Sequence, residues 1–529
     1  MEESNQAKAI VNRYQKLKSD RAVRDTLWDE IASYMQFRKS NILSKVSTPE
    51  ELTVNVQDMT AVQANLTMAA GQLSYIAPVD SIWFVFEDDE KDETKAKFYR
   101  NASQKAREKL VESNFYLEFH ESLLDRGAFA ISCLYVDFED DKLIFRNIPI
   151  GSYVVAEDKN GFVDTVIREF ELTIKNAIAK FGEENLPPAL IKDRTMDDKI
   201  SFIHCVKPNK KYDPEKATPE FKKFSSYYVS IGESKIIQEG GYDEMPYIVS
   251  RFNSYDADPY GYGPGIQALP VIKQIQRIEE DIDIIAEKLA RPPILAPSTQ
   301  AFEIESQAAG VTLFDASNPD AIPREWQTEG RYDVAVDRAE KKREMIDAMF
   351  FVPLFQMFGS LEDRQRTATE IVARESEKLI TFSPTFSRLV AEFLNPMLER
   401  VFGLLLRQGE FGEIPAELRG ADFRITYMSK ISLALKNLQT QSFFQFLEAS
   451  ALIAQIDPSV VDNLDTDEAF RQSAATFNVP EKFLRDKEDI EKIREDRAQQ
   501  QQQMQAVEQA AQLGKVAPEL MEMQDNFQQ

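Results

Sequence analysis

Tyr260-Gly-Tyr-Gly-Pro-Gly-Ile-Gln-Ala-Leu-Pro-Val-Ile-Lys-Gln-Ile-Gln-Arg-Ile-Glu-Glu-Asp-Ile-Asp-Ile-Ile-Ala-Glu-Lys-Leu-Ala-Arg-Pro-Pro293 is the stretch from which the fold is read. From Val271 the apolar positions are Val271, Ile275, Ile278, Ile282, Ile285 and Leu289, at steps of 4, 3, 4, 3 and 4. That is a heptad seam on a helix, and a seam of this kind meets another helix. About 20 residues give a rod about 30 Å long. The other face carries Lys273, Gln274, Arg277, Glu280, Asp281, Asp283, Glu287 and Lys288. Arg291-Pro-Pro ends the helix, because proline disfavours helical geometry in the residue before it. The three glycines ahead of the helix read as a flexible joint. They imitate a dinucleotide fingerprint, but Pro264 interrupts it and no strand–turn–helix unit with an acidic partner accompanies it.

Toward the N-terminus the pattern mixes helix and strand. Arg21–Phe37 places Leu27, Trp28, Ile31, Tyr34 and Met35 at helical spacing. Ala61–Ala77 is a second helix stopped by Pro78, and Lys95–Leu124 a third. Strands are expected at Phe129–Val136, Ser201–Val206, Ser226–Ile231 and Tyr247–Arg251. Lys142–Glu171 reads as a meander with Asn160-Gly161 at a hairpin turn. Lys207–Lys223, six Lys against Asp213, Glu215 and Glu220, reads as a solvated hairpin tip.

Toward the C-terminus, residues 292–332 hold five prolines and a strand-like piece at Gly310–Phe314, the pattern of a small inserted lobe. Tyr332–Phe351 is helical again, and a polar loop, Gly359–Arg366, follows an apolar run. Thr367-Ala-Thr-Glu370 is a capping box opening a tract to Arg407, with Gly409 as its stop and kinks expected at Pro384 and Pro396. Ser432 to about Arg497 is helical, and the Gln-rich end, 498–529, has no apolar period able to fold alone.

The composition narrows the function. The chain has 529 residues and a net charge of −25. Phosphate binding needs clustered Lys and Arg, so broad affinity for nucleic acid or an anionic membrane is not expected. Two cysteines, Cys133 and Cys205, exclude a disulfide framework and fit a reducing site of synthesis. The N-terminus is acidic and polar, unlike a signal peptide. The longest near-apolar stretch, Ala348–Gly359, is twelve residues, short of a membrane span.

Catalytic signatures are sparse. No G-x-x-x-x-G-K-[ST], H-E-x-x-H or G-x-S-x-G occurs. His204 and Cys205 are adjacent on an expected strand and point to opposite faces, so they cannot act as a pair. His120 lies on an expected helix and reads as structural. The acidic runs Glu87–Glu90, Asp137–Asp141 and Glu279–Asp283 could serve a metal-dependent nuclease only if they converged. They read instead as turns and as an outward helix face. An acidic α+β protein without catalytic, metal or cofactor residues, bearing a heptad stripe, is expected to assemble.

Several stretches in order carry a resemblance. They are Trp28-x-x-Ile31-x-x-Tyr34; Asn65-Leu66 through Ala77-Pro78 and Ile82-Trp83-Phe84; Ser113-Asn-Phe-Tyr116; Tyr260–Gly265 with Ala268-Leu269-Pro270; Phe350-Phe-Val-x-Leu354-Phe355 with Arg366-Thr-Ala-Thr-Glu370; and Leu394-Asn-Pro396 with Glu399-Arg-Val-Phe402. Over roughly residues 8–490 the chain resembles the portal, or head-to-tail connector, of short-tailed bacteriophages of the T7-like kind.

That resemblance implies an α+β portal fold in a twelve-subunit ring at one capsid vertex of the virion, made in the bacterial host cytoplasm. It implies an α/β wing over 1–263, stem helices over 264–291 and 333–352, and a small α/β clip over 292–332. A tunnel loop over 353–366, a long kinked helix with the rest of the wing over 367–430 and a helical crown over 431–497 complete it. Phe355, Phe358, Arg364 and Arg366 would line the DNA channel, and the seam from Val271 to Leu289 would make the stem contacts. Implied partners are double-stranded DNA, passing without sequence specificity, the large terminase subunit, tail adaptor proteins, major capsid and scaffolding proteins, and internal core proteins at the crown. A separate terminase would hydrolyse ATP. The rival readings are a tail adaptor or coiled-coil scaffold without a channel, and a metal-dependent nuclease.

Overall fold

The computed structural model describes residues 2–37, 56–88 and 93–295 apart from 193, 217, 256 and 257. It then describes 311, 324–325, 332–360, 380–412, 423–428 and a few positions between 467 and 497. The chain divides into two compact units, Met1–Leu435 and Lys436–Gln529. In the second, Arg494 chelates Asp467 with two hydrogen bonds of 2.6 and 2.7 Å. Apart from Val311, the expected strand Gly310–Phe314 lies outside the described residues, as do the capping box Thr367–Glu370 and nearly all of Ser432–Gln529.

The first unit mixes helix and sheet, as the α+β expectation required. Helix α1 (Glu2–Met35) is longer than its expected span. Its first half is mostly polar, but Ala7, Ile10, Val11 and Tyr14 form a narrow stripe. That stripe packs on Val154, Ile167, Ile203, Cys205 and Val229. These belong to a five-stranded antiparallel sheet in the order β4-β5-β6-β7-β8: Tyr153–Glu157, Val163–Thr173, Lys199–Pro208, Phe224–Ser230 and Lys235–Tyr242. The opposite face is covered by α5 (Ile174–Phe181) and α6 (Pro188–Ile191), which bury Ile200, Phe202 and Ile237. Asn160-Gly161 does make a turn, with Gly161 at φ 81°.

Helix α2 (Thr60–Ile76) and the expected third helix follow, but the latter is two: α3 (Glu93–Glu112) and α4 (Phe115–Phe129). The break has a cause in Asn114. Its side chain donates to the Phe145 carbonyl at 2.8 Å and accepts from the Phe145 N–H at 3.0 Å, so it pairs with strand backbone instead of extending the helix. A second sheet runs β3-β2-β9, Lys142–Asn147, Ile131–Glu139 and Tyr247–Arg251. Its β2–β3 turn is Asp140-Asp141, both at positive φ, as a two-residue hairpin requires. Two further pairs are β1 (Phe84–Glu87) with β14 (Arg424–Tyr427), and β10 (Asn253–Tyr255) with β11 (Asp258–Tyr262).

The Tyr260–Gly265 stretch is packed rather than loose. Gly263 and Gly265 lie against the α4–β2 corner, where a Cβ on Gly265 would sit 2.0 Å from the Ala128 carbonyl oxygen. Close approach, not hinge freedom, requires these glycines. Helix α7 (Pro264–Ala290) therefore begins seven residues before the seam, with Pro264 in its first turn. A short strand pair, β12 (Ile294–Leu295) with β13 (Arg324–Glu325), closes the inserted segment. Helices α8 (Tyr332–Met349) and α9 (Val352–Ser360) follow.

The chain then re-enters the N-terminal body. It is helical over 380–389, running through Pro384, then makes a π turn at Val390–Leu394 and continues as α10 (Asn395–Arg407). The π turn directly precedes Pro396, which has no N–H to give the Glu392 carbonyl and whose ring would crowd it. Gly409, at φ 75°, stops the helix as expected.

Buried arginines fasten this returning tract. Arg251 on β9 holds Glu392 through its backbone N–H at 2.8 Å and its guanidinium at 2.7 Å, and also binds Glu157. Arg400 donates to the Val136 carbonyl at 3.0 Å, lies over the Tyr242 ring and pairs with Glu244. Arg126 donates to the carbonyls of Arg251 and Thr385 at 3.2 and 3.1 Å. Burial pulls its guanidinium down to about 9, still charged at neutral pH. Removing one partner of a buried pair leaves a charge with no solvent and costs about 3–5 kcal/mol. Glu392→Ala is therefore expected to lose about 3 kcal/mol in urea unfolding, and the double variant Arg251→Met, Glu392→Met less than the two single losses added. A Glu392→Ala loss below about 0.5 kcal/mol would mean the tie is not structural.

His204 and Cys205 do face opposite ways. Cys205 packs against α1. His204 is enclosed between Tyr247, 2.6 Å from Nδ1, and Ser226, 2.9 Å from Nε2, and stacks on Tyr228 at 4.0 Å. Burial, aided by Lys180 and Arg168, holds its pKa well below 6.5. The folded state thus resists a proton that the unfolded chain accepts. Its contribution is full above pH 6.5 and is lost as pH falls, by up to about 1.4 kcal/mol per unit. In urea titrations at descending pH, His204→Gln is expected to lose stability less steeply than the parent. Equal slopes would contradict this, since His120 is present in both proteins.

Candidate assembly and channel site

Helices α7 and α8 form a hairpin standing on the N-terminal body. The segment before α2 fixes its root. Gln276 accepts from the N–H groups of Gln57 and Asp58 at 2.6 and 2.9 Å and donates to the Asp58 carbonyl at 2.8 Å. Arg343 on α8 bridges Asp58 at 2.9 Å and Glu279 on α7 at 2.5 Å. Asp347 lies near this cluster, and burial with the Asp58 charge raises its pKa.

Burial falls along α7 from root to tip. Val271, Ile275 and Ile282 are buried within this one chain, where α8 offers Ala339 and Ile346. Ile278 and Ile285 are half-buried, while Leu289 is 54% and Ile284 42% exposed. The seam thus does first the job of closing its own hairpin. Ile278, Ile284 and Ile285 line an open groove of about 330 Å³ with Asp281, Lys288, Ala335 and Arg338. Tyr332, Val334 and Met345 on α8 are exposed too. Periodicity identified the seam but missed Ile284, which lies off the stripe.

The channel expectation fares unevenly. Phe355 is corrected: it is 4% exposed, meets the Phe382 ring at 5.6 Å and sits on Gly71, where a Cβ would come within 2.4 Å of it. A side chain enclosed by its own chain cannot touch DNA. The reason is local, since Val352, Leu354 and Phe355 are apolar and packed in helix α9, which occupies 352–360 in place of a loop. Phe358 falls within α9, but its side chain lies outside the described residues, as do Arg364 and Arg366.

Among the described residues the acidic runs do not converge. Glu87 accepts from Thr426, Asp137 is near Arg400, and Glu279 pairs with Arg343. Asp140 and Asp141 make a hairpin turn. The buried arginines were not singled out from sequence, although a charge inside an apolar run, as in Leu398-Glu-Arg400-Val-Phe402, was the available signal. No helix among the described residues is long and apolar enough to cross a membrane.

Comparison with known proteins agrees with the resemblance. The family described as bacteriophage head to tail connecting protein matches residues 7–484. The portal protein of Salmonella phage epsilon15 is 28% identical, covering 92% of this chain and 90% of that protein. The probable portal protein of Bordetella phage BPP-1 is 26% identical over 88% of this chain and 86% of its own length. With the match spanning nearly the whole sequence, this chain belongs to the bacteriophage head-to-tail connecting proteins, the portal family.

Proposed function

We propose that this chain is one subunit of a closed ring, twelve-membered as in the resembled portals, at the capsid vertex where the tail attaches. The observation that carries the reading is the α7–α8 hairpin. Its own contacts are completed near the root, while Ile284 and Leu289 toward the tip remain 42% and 54% exposed in the single chain. Exposed aliphatic side chains clustered on one element mark an interaction surface. In a ring the hairpins stand side by side as the stem, each covering the next one's groove. Residues 292–332 form the clip at the hairpin tip, facing terminase during packaging and tail adaptors afterwards. The N-terminal body with the 367–430 tract is the wing, toward capsid and scaffolding proteins, and 431–497 is the crown, toward internal core proteins.

Double-stranded DNA passes through the ring, and Phe358, Arg364 and Arg366 are its contacts at the narrowest part. The acidic charge supports passage rather than capture, because an unopposed basic ring would grip phosphate in proportion to its contacts. The chain works here as a conduit, with no chemical step of its own.

Two experiments test this reading. Ile284→Asp with Leu289→Asp is expected to leave monomer unfolding within about 0.5 kcal/mol, as for exposed positions, and to abolish rings in negative-stain images. Rings at normal yield would remove the hairpin from the interface, and particles without a central hole would favour an adaptor. Deletion of Leu361–Gln365 is expected to leave rings intact while DNA packaging or retention fails. Normal retention would mean that this segment does not act on DNA.

A further inference from the structure

The β6–β7 hairpin tip, Lys207–Lys223, has no part in the ring argument, and its construction is specific. Asn209 clasps the two sides. Its side-chain amide donates to the carbonyls of Glu220 and Lys222 at 2.7 and 2.8 Å, and its backbone N–H donates to Lys223 at 2.9 Å. Its side-chain oxygen accepts from the Lys211 N–H at 3.0 Å. The Asp213 N–H donates to the Phe221 carbonyl at 3.0 Å, closing the far end. The tip is therefore held in one shape rather than left as a solvated coil.

The charges sort within that shape. Asp213 is neutralised by Lys216 at 3.0 Å, which also lies 4.3 Å from the Phe221 ring centre. Lys222 is engaged by Asp243 at 3.0 Å. Lys210, Lys211 and Lys223 are exposed and, among the described residues, no ion pair within 4.0 Å holds them, though the Lys223 charge reaches Glu399. Tyr212, half exposed, stands beside the first two. Glu215 and Glu220 are the acids left over.

We propose that this tip is a contact surface for the phosphate backbone of duplex DNA. Composition favours phosphate over a protein partner. Residues 207–223 contain no Leu, Ile, Val or Met, so the tip has no aliphatic anchor for a protein interface. Lys and Glu, which dominate it, are depleted at such interfaces. Lysine ammoniums on a preformed turn are what phosphate oxygens accept from. The surrounding chain carries −25, so attraction is confined to about one Debye length, roughly 10 Å at 0.1 M salt. Contact is expected to be weak, local and salt-sensitive. The proposal does not rest on the ring reading, because DNA binding and assembly are read separately.

The test uses the full-length protein and a fluorescein-labelled random-sequence duplex, followed by anisotropy across a salt series. The parent is compared with Lys210→Gln/Lys211→Gln and with Lys210→Arg/Lys211→Arg, with circular dichroism melts and native mass spectra for all three. The Gln variant is expected to bind on the order of tenfold more weakly at low salt. Its slope of log affinity against log salt should shrink by about 0.9 per lysine for each bound tip. The Arg variant should keep parental affinity and slope. Equal affinity and slope for the Gln variant would overturn the proposal. So would weakened assembly with unchanged DNA binding, which would give the tip to a second copy of the chain.

Discussion

The Arg251–Glu392 contact is the constraint on which the architecture depends. Between these residues the chain leaves the N-terminal body, runs out along α7, traverses the inserted segment, returns along α8 and α9, and re-enters as a helix. Such an excursion is stable only if its return point is fixed. Glu392 meets both the backbone N–H and the guanidinium of Arg251, at 2.8 and 2.7 Å, with both side chains buried. Arg126 and Arg400 tie the same tract to the α4–β2 region. The π turn at Val390–Leu394 belongs to this arrangement, because it accommodates Pro396 and carries Glu392 itself.

Fixing the return point fixes the hairpin. Helices α7 and α8 share a root at which Arg343 joins Asp58 and Glu279, while Gln276 reads the backbone at Asp58. These are directional contacts, and they set where the rod points. Beyond them, packing is apolar and thins toward the tip. One element therefore combines a rigid base with a partly exposed end, the arrangement that the proposed ring requires if identical subunits are to meet along their rods.

Charge separates this protein's duties. The net −25 works against tight retention of DNA, which suits the proposed conduit. The same repulsion would hinder any surface meant to touch DNA, so such a surface must be local and preformed. The Asn209-clasped tip has that character, with Asp213 and Asp243 taken up by Lys216 and Lys222 so that neither draws on Lys210 and Lys211. His204, by contrast, is chemically conspicuous in sequence but closed off by tyrosines, where it packs the sheet.

Local chemistry by itself determined much of this chain. The 4-3-4-3-4 seam, the Asn160-Gly161 turn, the Gly409 stop and the β9 span Tyr247–Arg251 follow from side-chain period and backbone preference, which neighbours in sequence decide. The ordered stretches from Trp28 to Phe402 were enough to place the chain in its family. What tertiary structure alone decided is partnership. The seam pattern says that a helix is met, and only the fold shows that Ile275 and Ile282 are buried within the single chain while Ile284 is left 42% exposed. An apolar run at 352–358 fits a loop lip as well as a helix, and only the fold shows Phe355 packed against Gly71 and Phe382. The glycines before α7 look free in sequence, yet the Ala128 carbonyl leaves no room for a Cβ at Gly265. Arg251 and Glu392 are 141 positions apart, and no local period links them. A charge is worth burying only opposite its partner, and the partner's position exists only once the chain has folded.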